Sequence, residues 1–509
     1  MTATATTTAR PGGLAFLWQR RLDRYPTGGA RYSRLVLAVL ATVAIYYEQY
    51  TLGAVSTLVQ TQLHMSFLFL LTALGIANLL GAFGSLAAGL ADRLGRANIV
   101  VYGMLVVGVV TAFGVTAAHD KWTFIILSTI VGIMEGMLLV ATPALVRDFS
   151  PQMGRARAMG FWNVAPPAGS LLASAVAAMT LGHLVSWQSQ FVISGSVGIV
   201  VSIVALFFLK ELSPELRDQA AVNEEDRELL EARAASGKVE VNVEHPWRQL
   251  MHADVIVPAA GFSIALLFYY TMVGFAPVLF TTVWHLSLAA SNSVVAWAWG
   301  FNVLVSLTYG SLVDKFRVRK PWILGSAIVC AIVQVYLLTL VGTNASYLQI
   351  AIVMVVLAAS WGGFAVPWYA AYTETVEARN PALTATGLAI WAWIVRFVVF
   401  ISFLAVPHVV SSANTLVNSA PYIAAAQKAK AAGQPVSGAL ARNLADIQHA
   451  AVATIGQWQV WMGIAVACAV FLALTVPLLR GPWSPARARA QQEEHNRRRD
   501  AEIAELRAK

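Results

Sequence analysis

Long apolar stretches alternate along this chain with short intervals that hold nearly all of its charge. A helix needs about 20 apolar residues to cross a bilayer, because hydrocarbon cannot satisfy backbone amides and the helix satisfies them internally. Twelve stretches meet that length: residues 35–57, 66–90, 98–118, 122–147, 157–180, 189–209, 255–280, 292–312, 321–342, 347–372, 384–408 and 457–479. The pattern predicts an all-α membrane protein of twelve transmembrane helices. A charged interval, 210–254, separates the sixth from the seventh, and its run Asn223–Arg233 predicts a solvated amphipathic helix. The expected organisation is a tail (1–34), a six-helix half (35–209), a central loop (210–254), a second six-helix half (255–479) and a second tail (480–509). Within the second half, the Ala-rich segment 409–456 predicts either a short helical cap or a flexible linker.

Composition agrees with this pattern. Hydrophobic residues make up 58% and charged residues 12%, where soluble domains carry about 25% charged residues. Mean hydropathy is +0.64. The net charge of +9 is concentrated in the intervals of one side. With the N-terminus inside, those intervals and both tails hold 30 of the Lys and Arg residues. The other side holds four (Lys121, Lys428, Lys430 and Arg442), and Arg396 lies within a span. This asymmetry places both termini in the cytoplasm and the chain in the cytoplasmic membrane, and it makes the lipid bilayer rather than nucleic acid the expected partner. Residues 1–34 show no apolar core of a cleavable leader, while Leu14–Arg34 mixes apolar residues with arginines, as a helix lying on the membrane surface does. Cys330 and Cys468 fall inside apolar runs and read as small hydrophobes. No metal-ligand spacing, nucleophile–base pair or phosphate-cradling loop occurs, which argues against an enzyme and against a cofactor or metal.

An internal repeat divides the chain. The second span ends in Ala88-Gly-Leu-Ala-Asp92-Arg93-Leu-Gly-Arg96, and the eighth in Gly310-Ser-Leu-Val-Asp314-Lys315-Phe-Arg-Val-Arg-Lys320. Asp92 and Asp314 lie 222 residues apart, each at the end of the second helix of a half. This duplicated turn resembles the G-x-x-x-D-R/K-x-G-R/K-R/K signature of the major facilitator superfamily, with Ala88, Ala97 and Arg317 as departures. After the fourth span, Asp148-Phe-Ser-Pro151-Gln-Met-Gly-Arg155 is similar to the acid-x-x-P-x-x-x-R loop of sugar porters and organic-acid symporters. Its counterpart after the tenth span is eroded to Glu377-x-x-Asn380. Tyr47-Glu48-Gln49-Tyr50-Thr51-Leu52 in the first span resembles the F-D-G-Y-D-L of aromatic-acid/proton symporters, with Thr51 in place of the second acid. The resemblance implies a gating role for Asp92, Arg93, Arg96, Asp148, Arg155, Asp314 and Lys315, with Arg93 or Arg96 reaching Asp148. The simpler reading of these turns is a basic anchor for topology.

Three ionisable groups lie near mid-membrane, where a lone charge costs at least about 2.5–3.5 kcal/mol and needs a partner or a wet cavity. Glu48 sits about 20 Å from one end of its span and about 14 Å from the other. Glu135, between Gly132 and Gly136, and Arg396 occupy the middles of spans four and eleven. Arg396 is the candidate for binding a substrate carboxylate, and its alternative is a structural ion pair with Glu48 or Glu135. Glu48 and, more weakly, Glu135 are candidates for proton coupling, a hydrogen-bonded helix contact being the alternative. Tyr270 falls 222 residues after Glu48. With Trp361, Tyr269, Trp297, Trp299, Trp368, Trp391 and Trp393 it makes the second half rich in rings, and Asn302 is a polar candidate for substrate binding among them. Those rings line a pocket for a flat substrate, or they serve packing and interfacial belts.

The expected function is secondary active transport: proton-coupled symport of a small organic anion, a carboxylate with aromatic acids among the candidates, by a monomer using alternating access. The alternative within the same family is a drug/proton antiporter, since Ala165-Pro-Pro-Ala-Gly-Ser170 is a degraded echo of the antiporter pattern G-P-x-x-G-G. A membrane sensor or scaffold on the same fold is a third class, disfavoured by the intact turns and the midplane charges.

Overall fold

The computed structural model describes residues 17–22, 24, 26, 28–86, 95–149, 162–213, 246–316, 318–380, 383–432, 435, 436 and 438–507. Helices occupy all twelve expected positions: Gly29–Gln62, Phe67–Leu86, Arg96–Ala117, Lys121–Asp148, Ala165–Thr180, Trp187–Phe208, Ala253–Val283, Leu288–Phe316, Lys320–Leu340, Tyr347–Glu377, Thr384–Val409 and Gly438–Thr475, here spans one to twelve. Among the described residues ten helices are long and apolar enough to cross a membrane; the second and fifth are shorter in their described, apolar parts.

Local chemistry sets several ends. Ser186 and Ser346 cap spans six and ten, their hydroxyls accepting from the backbone N–H groups of Ser189 (3.3 Å) and Gln349 (3.2 Å). Asp120 accepts from the N–H groups of Trp122 and Thr123 at the start of span four. Hydrogen bonds from Thr123 hold its exposed carboxyl below the usual carboxylate range. Span seven breaks at Leu266 and again at Phe275, whose φ/ψ of −162°/35° are not helical. Pro277 causes the second break: it has no N–H for the Val273 carbonyl four residues back.

Two hydrophobic cores form. One is built from Leu35 to Leu212, the other from Leu250 to Leu479 together with Phe67 and Leu71 of span two. Across the junction, span one packs on seven, five on eight, and two on eleven. Adding six to each number exchanges the last two pairs, so the contacts obey the pseudo-twofold relation between the halves.

One expectation changes and two open alternatives are decided. Residues 17–22, placed by the sequence on a surface helix, instead lie along the first half. There strand β1 (Arg21–Leu22) pairs in parallel with strand β2 (Glu211–Leu212), because buried Arg20 finds carbonyl partners there. Segment 409–456 is helical, with Ser412–Val417 and Ala420–Ala431 preceding a twelfth helix that starts at Gly438. Trp297 is 58% exposed on the outer surface of the bundle rather than among the interior rings. The helix expected over 223–233 lies outside the described residues.

Candidate functional site

At mid-height the junction of the halves carries a cation. Arg396, half-buried on span eleven, donates from Nη1 to the Asn78 carbonyl of span two at 3.2 Å, while the Asn78 side-chain amide donates to the Arg396 carbonyl at 3.1 Å. The reciprocal pair pins the cation across the junction. Close approach makes the reach possible. A Cβ on Gly136 of span four would overlap the Gly81 backbone of span two, and one on Gly81 would lie 3.2 Å from Arg396 Nη1. Small residues thus let spans two and four sit backbone to backbone beneath the guanidinium.

Glu135, one residue from that contact, is buried and lies near Gln49 of span one. Tyr46 lies within electrostatic reach of Tyr270, Arg396 and Glu135, and Tyr270 within reach of Arg396. Glu48 is within electrostatic reach of Glu135. It is 3% exposed, neither carboxylate oxygen has a hydrogen-bond partner, and it lies against span six, where a Cβ on Gly198 would overlap it. The ion pair between Arg396 and Glu48 or Glu135, one of the two roles open to Arg396, is not formed.

Rings surround this centre. Tyr46 and Tyr50 of span one are 5.4 Å apart, and Tyr50 lies near Tyr269 of span seven. Tyr269 also contacts Tyr270 (5.3 Å), Trp299 (4.8 Å) and Trp361 (5.5 Å). A second group joins Trp162 of span five to Tyr369 (6.0 Å), which meets Trp391 (5.1 Å). Trp368 stacks between Phe262 and Tyr372. Asn302 is turned away, its amide donating to the Ala358 carbonyl at 2.7 Å to tie span eight to ten.

Above and below the centre the halves close. On the side away from the basic loops, the Val273 carbonyl freed by Pro277 comes so close to Gly53 that a Cβ there would overlap it. Asn292 donates to the Ala54 carbonyl (2.9 Å), and Phe67 packs edge-on to Phe275 (5.4 Å). A crevice of about 10 Å³, room for roughly one water, lies beside these contacts, lined by Tyr50, Gly53, Ser170, Asn292 and Trp299 among others. Toward the basic end ring contacts join the halves, Trp162 on Tyr369 and the exposed Phe83 on Trp393 (5.6 Å).

At the basic end Arg96 reaches Asp148 at 3.4 Å within the first half. In the second half Arg319 reaches Glu374 at 3.2 Å, so the acid that answers it sits one turn before the motif-aligned Glu377. Arg379 grips Asp254 through two nitrogens, at 2.6 and 2.9 Å. Lys315 is exposed beside Phe316, Pro485 and Arg489. Asp92, Arg93 and Arg155, and the side chain of Asp314, lie outside the described residues. Sequence reasoning missed Asn78, Gln49, Tyr46, Arg20 and Glu211. Gln49 and Tyr46 were signalled by their place beside Glu48; the others had no motif to mark them.

With that geometry in view, comparison places the chain. It matches the Major Facilitator Superfamily over residues 37–394 and belongs to that superfamily: it is a multi-pass membrane transporter, not an enzyme. The multidrug resistance protein MdtL of Klebsiella pneumoniae is 29% identical over 171 residues, 33% of this chain; the match spans 41% of that relative's length. Among solved structures, a bacterial homologue of the human lysosomal transporter Spinster, inward-facing and unoccupied, is similar with a TM-score of 0.63 at 16% identity. That match covers 90% of this chain and all of the other. A D-xylose–proton symporter is similar with a TM-score of 0.57 at 19% identity, over 87% of this chain and 97% of the other. At these identities the structures testify to the fold alone.

Proposed function

We propose that the protein is a proton-coupled carrier of a small organic anion, with Arg396 receiving the substrate carboxylate. The observation that carries this reading is a midplane guanidinium held across the two halves with no carboxylate partner among the described residues. Asn78 takes one N–H of a five-donor fork, which leaves donors for a bidentate carboxylate. Tyr46 from the first half and Tyr270 from the second flank the charge, and the Tyr269–Trp299–Trp361 group supplies flat faces for an aromatic or planar acid.

Glu135 and Glu48 carry the proton in this reading. Glu135 faces the junction through Gln49, and Glu48 lies behind it in a site with no hydrogen-bond donor. A carboxyl in such surroundings exchanges charge with the state of its neighbours, so anion arrival at Arg396 and proton arrival at Glu135 favour each other. The basic end is taken as cytoplasmic, where the central segment 210–254 joins the two halves, Arg96–Asp148 braces the first and Arg319–Glu374 the second. Internal pH followed in proteoliposomes tests the reading: added carboxylates acidify the lumen in the wild type and not in Arg396→Ala.

A second reading, drug/proton antiport, is favoured by the MdtL relative, whose name says multidrug resistance. Proton release triggered by hydrophobic cations, with no response to any acid, would replace the first reading with this one.

A further inference from the structure

Span three begins and span six ends side by side at the basic end of the first half, and each helix end presents unpaired backbone groups. The parallel β1–β2 pair brings one charge to each. Arg20, 3% exposed, donates to the carbonyls of Ala205 (3.4 Å), Leu206 and Leu209 (3.5 Å) at the end of span six, and through Nε to Asn98 Oδ1 (2.9 Å) of span three. Glu211, 2% exposed, accepts from the backbone N–H groups of Arg96 (2.7 Å) and Ala97 (3.4 Å) at the start of span three. The cation meets the negative end of one helix dipole and the anion the positive end of the other, which offsets the burial of both charges.

The segment is fastened further. Asn98 donates to the Trp18 carbonyl (2.9 Å) and Tyr102 to the Leu17 carbonyl (2.8 Å). Gly95, at φ +93°, leaves the space in which the Glu211 carboxylate lies; a Cβ there would come within 2.6 Å of Oε1.

We infer that residues 17–22 are a working part of the basic-end gate, and that Arg20 and Glu211 are positioning residues for Arg96. Glu211 grips the main-chain N–H of the same residue whose side chain pairs with Asp148. The clasp therefore fixes where that guanidinium can reach, and through the β ladder the N-terminal segment reports on the state of span six. The inference rests on the proposed gating role of the Arg96–Asp148 pair, not on the identity of the substrate.

The test is a labelling measurement without substrate. Asn163, 9% exposed beside the Trp162–Tyr369 contact, is replaced by cysteine in the full chain; the native Cys330 and Cys468 are both buried. A membrane-impermeant maleimide then reads opening of the basic end in nanodiscs. Glu211→Gln and Arg20→Gln should each speed labelling about fivefold, the size of a lost helix cap, and Glu211→Asp should restore the slow rate. Asp148→Asn should speed it too, but the Glu211→Gln/Asp148→Asn double variant should be little faster than either single, because both act through Arg96. Glu211→Gln with Glu374→Gln, in separate halves, should multiply. Unchanged labelling in Glu211→Gln, even with a lowered melting temperature, overturns the inference, as does a multiplicative Glu211/Asp148 pair. If Arg20→Gln does not fold, the Glu211 series decides alone.

Discussion

The two halves have the same six-helix plan and opposite chemistry at mid-height. The first contributes the carboxyls and an amide, Glu48, Glu135 and Gln49. The second contributes the cation, Arg396, and most of the rings, Tyr269, Tyr270, Trp299, Trp361, Tyr369 and Trp391. Repetition supplies the scaffold, and divergence supplies the site. Where the repeat would place a partner for Glu48 it has Tyr270. In the proposed reading, a guanidinium with no carboxylate partner among the described residues meets the anion, and carboxyl oxygens without hydrogen-bond partners meet the proton.

The largest expected effect breaks that polarity. Arg396→Ala should lower uptake on the order of 100-fold, with Arg396→Lys only partly active because a point charge cannot replace the fork; radiotracer uptake at an unchanged thermal melt measures this. Next, Glu135→Gln should abolish proton-driven accumulation while equal-pH exchange stays within about threefold, since binding survives when only the proton site is lost. Glu48→Gln sharpens the division of labour: it should alter the pH profile of uptake with KM unchanged, because Glu48 lies off the junction. An identical KM change in both variants would contradict it.

Opening the aromatic wall should have a smaller effect. Tyr269→Ala removes a ring contact of about 0.5–1.5 kcal/mol, so KM for an aromatic acid should rise about 3- to 10-fold and far less for an aliphatic one. The smallest effects lie at the braces. Asp148, with a 4% exposed side chain, should cost roughly 1–3 kcal/mol as Asn. Glu374, 42% exposed in the matching pair, should cost under about 1 kcal/mol as Gln; thermal melts of the two variants compare them.

Much of this was legible in residue order. The spans follow from apolar length, and the twofold plan follows from Asp92 and Asp314 standing 222 residues apart. Arg96 and Asp148 were matched by motif. Glu48 was harder to place: at about 100° per residue it points roughly 160° away from Tyr46 and Tyr50, so the face that meets the second half carries Gln49 and the tyrosines instead. Helical phase contained that information; a motif read as a string did not. Asn78 and Glu374 were not legible, because each is defined by a contact with a residue more than 50 positions away. The break at Phe275 and the approach of Val273 to Gly53 were implicit in Pro277, but which span received the freed carbonyl is a matter of tertiary packing.

The central claim is that Arg396 and the carboxyls opposite it bind an anion and a proton together. Internal pH in proteoliposomes, recorded while a panel of carboxylates and hydrophobic cations is added outside, tests it most directly. The account predicts acidification on adding a carboxylate, absent in Arg396→Ala and in Glu135→Gln. Alkalinisation driven by cations, with silence from every acid, would contradict it.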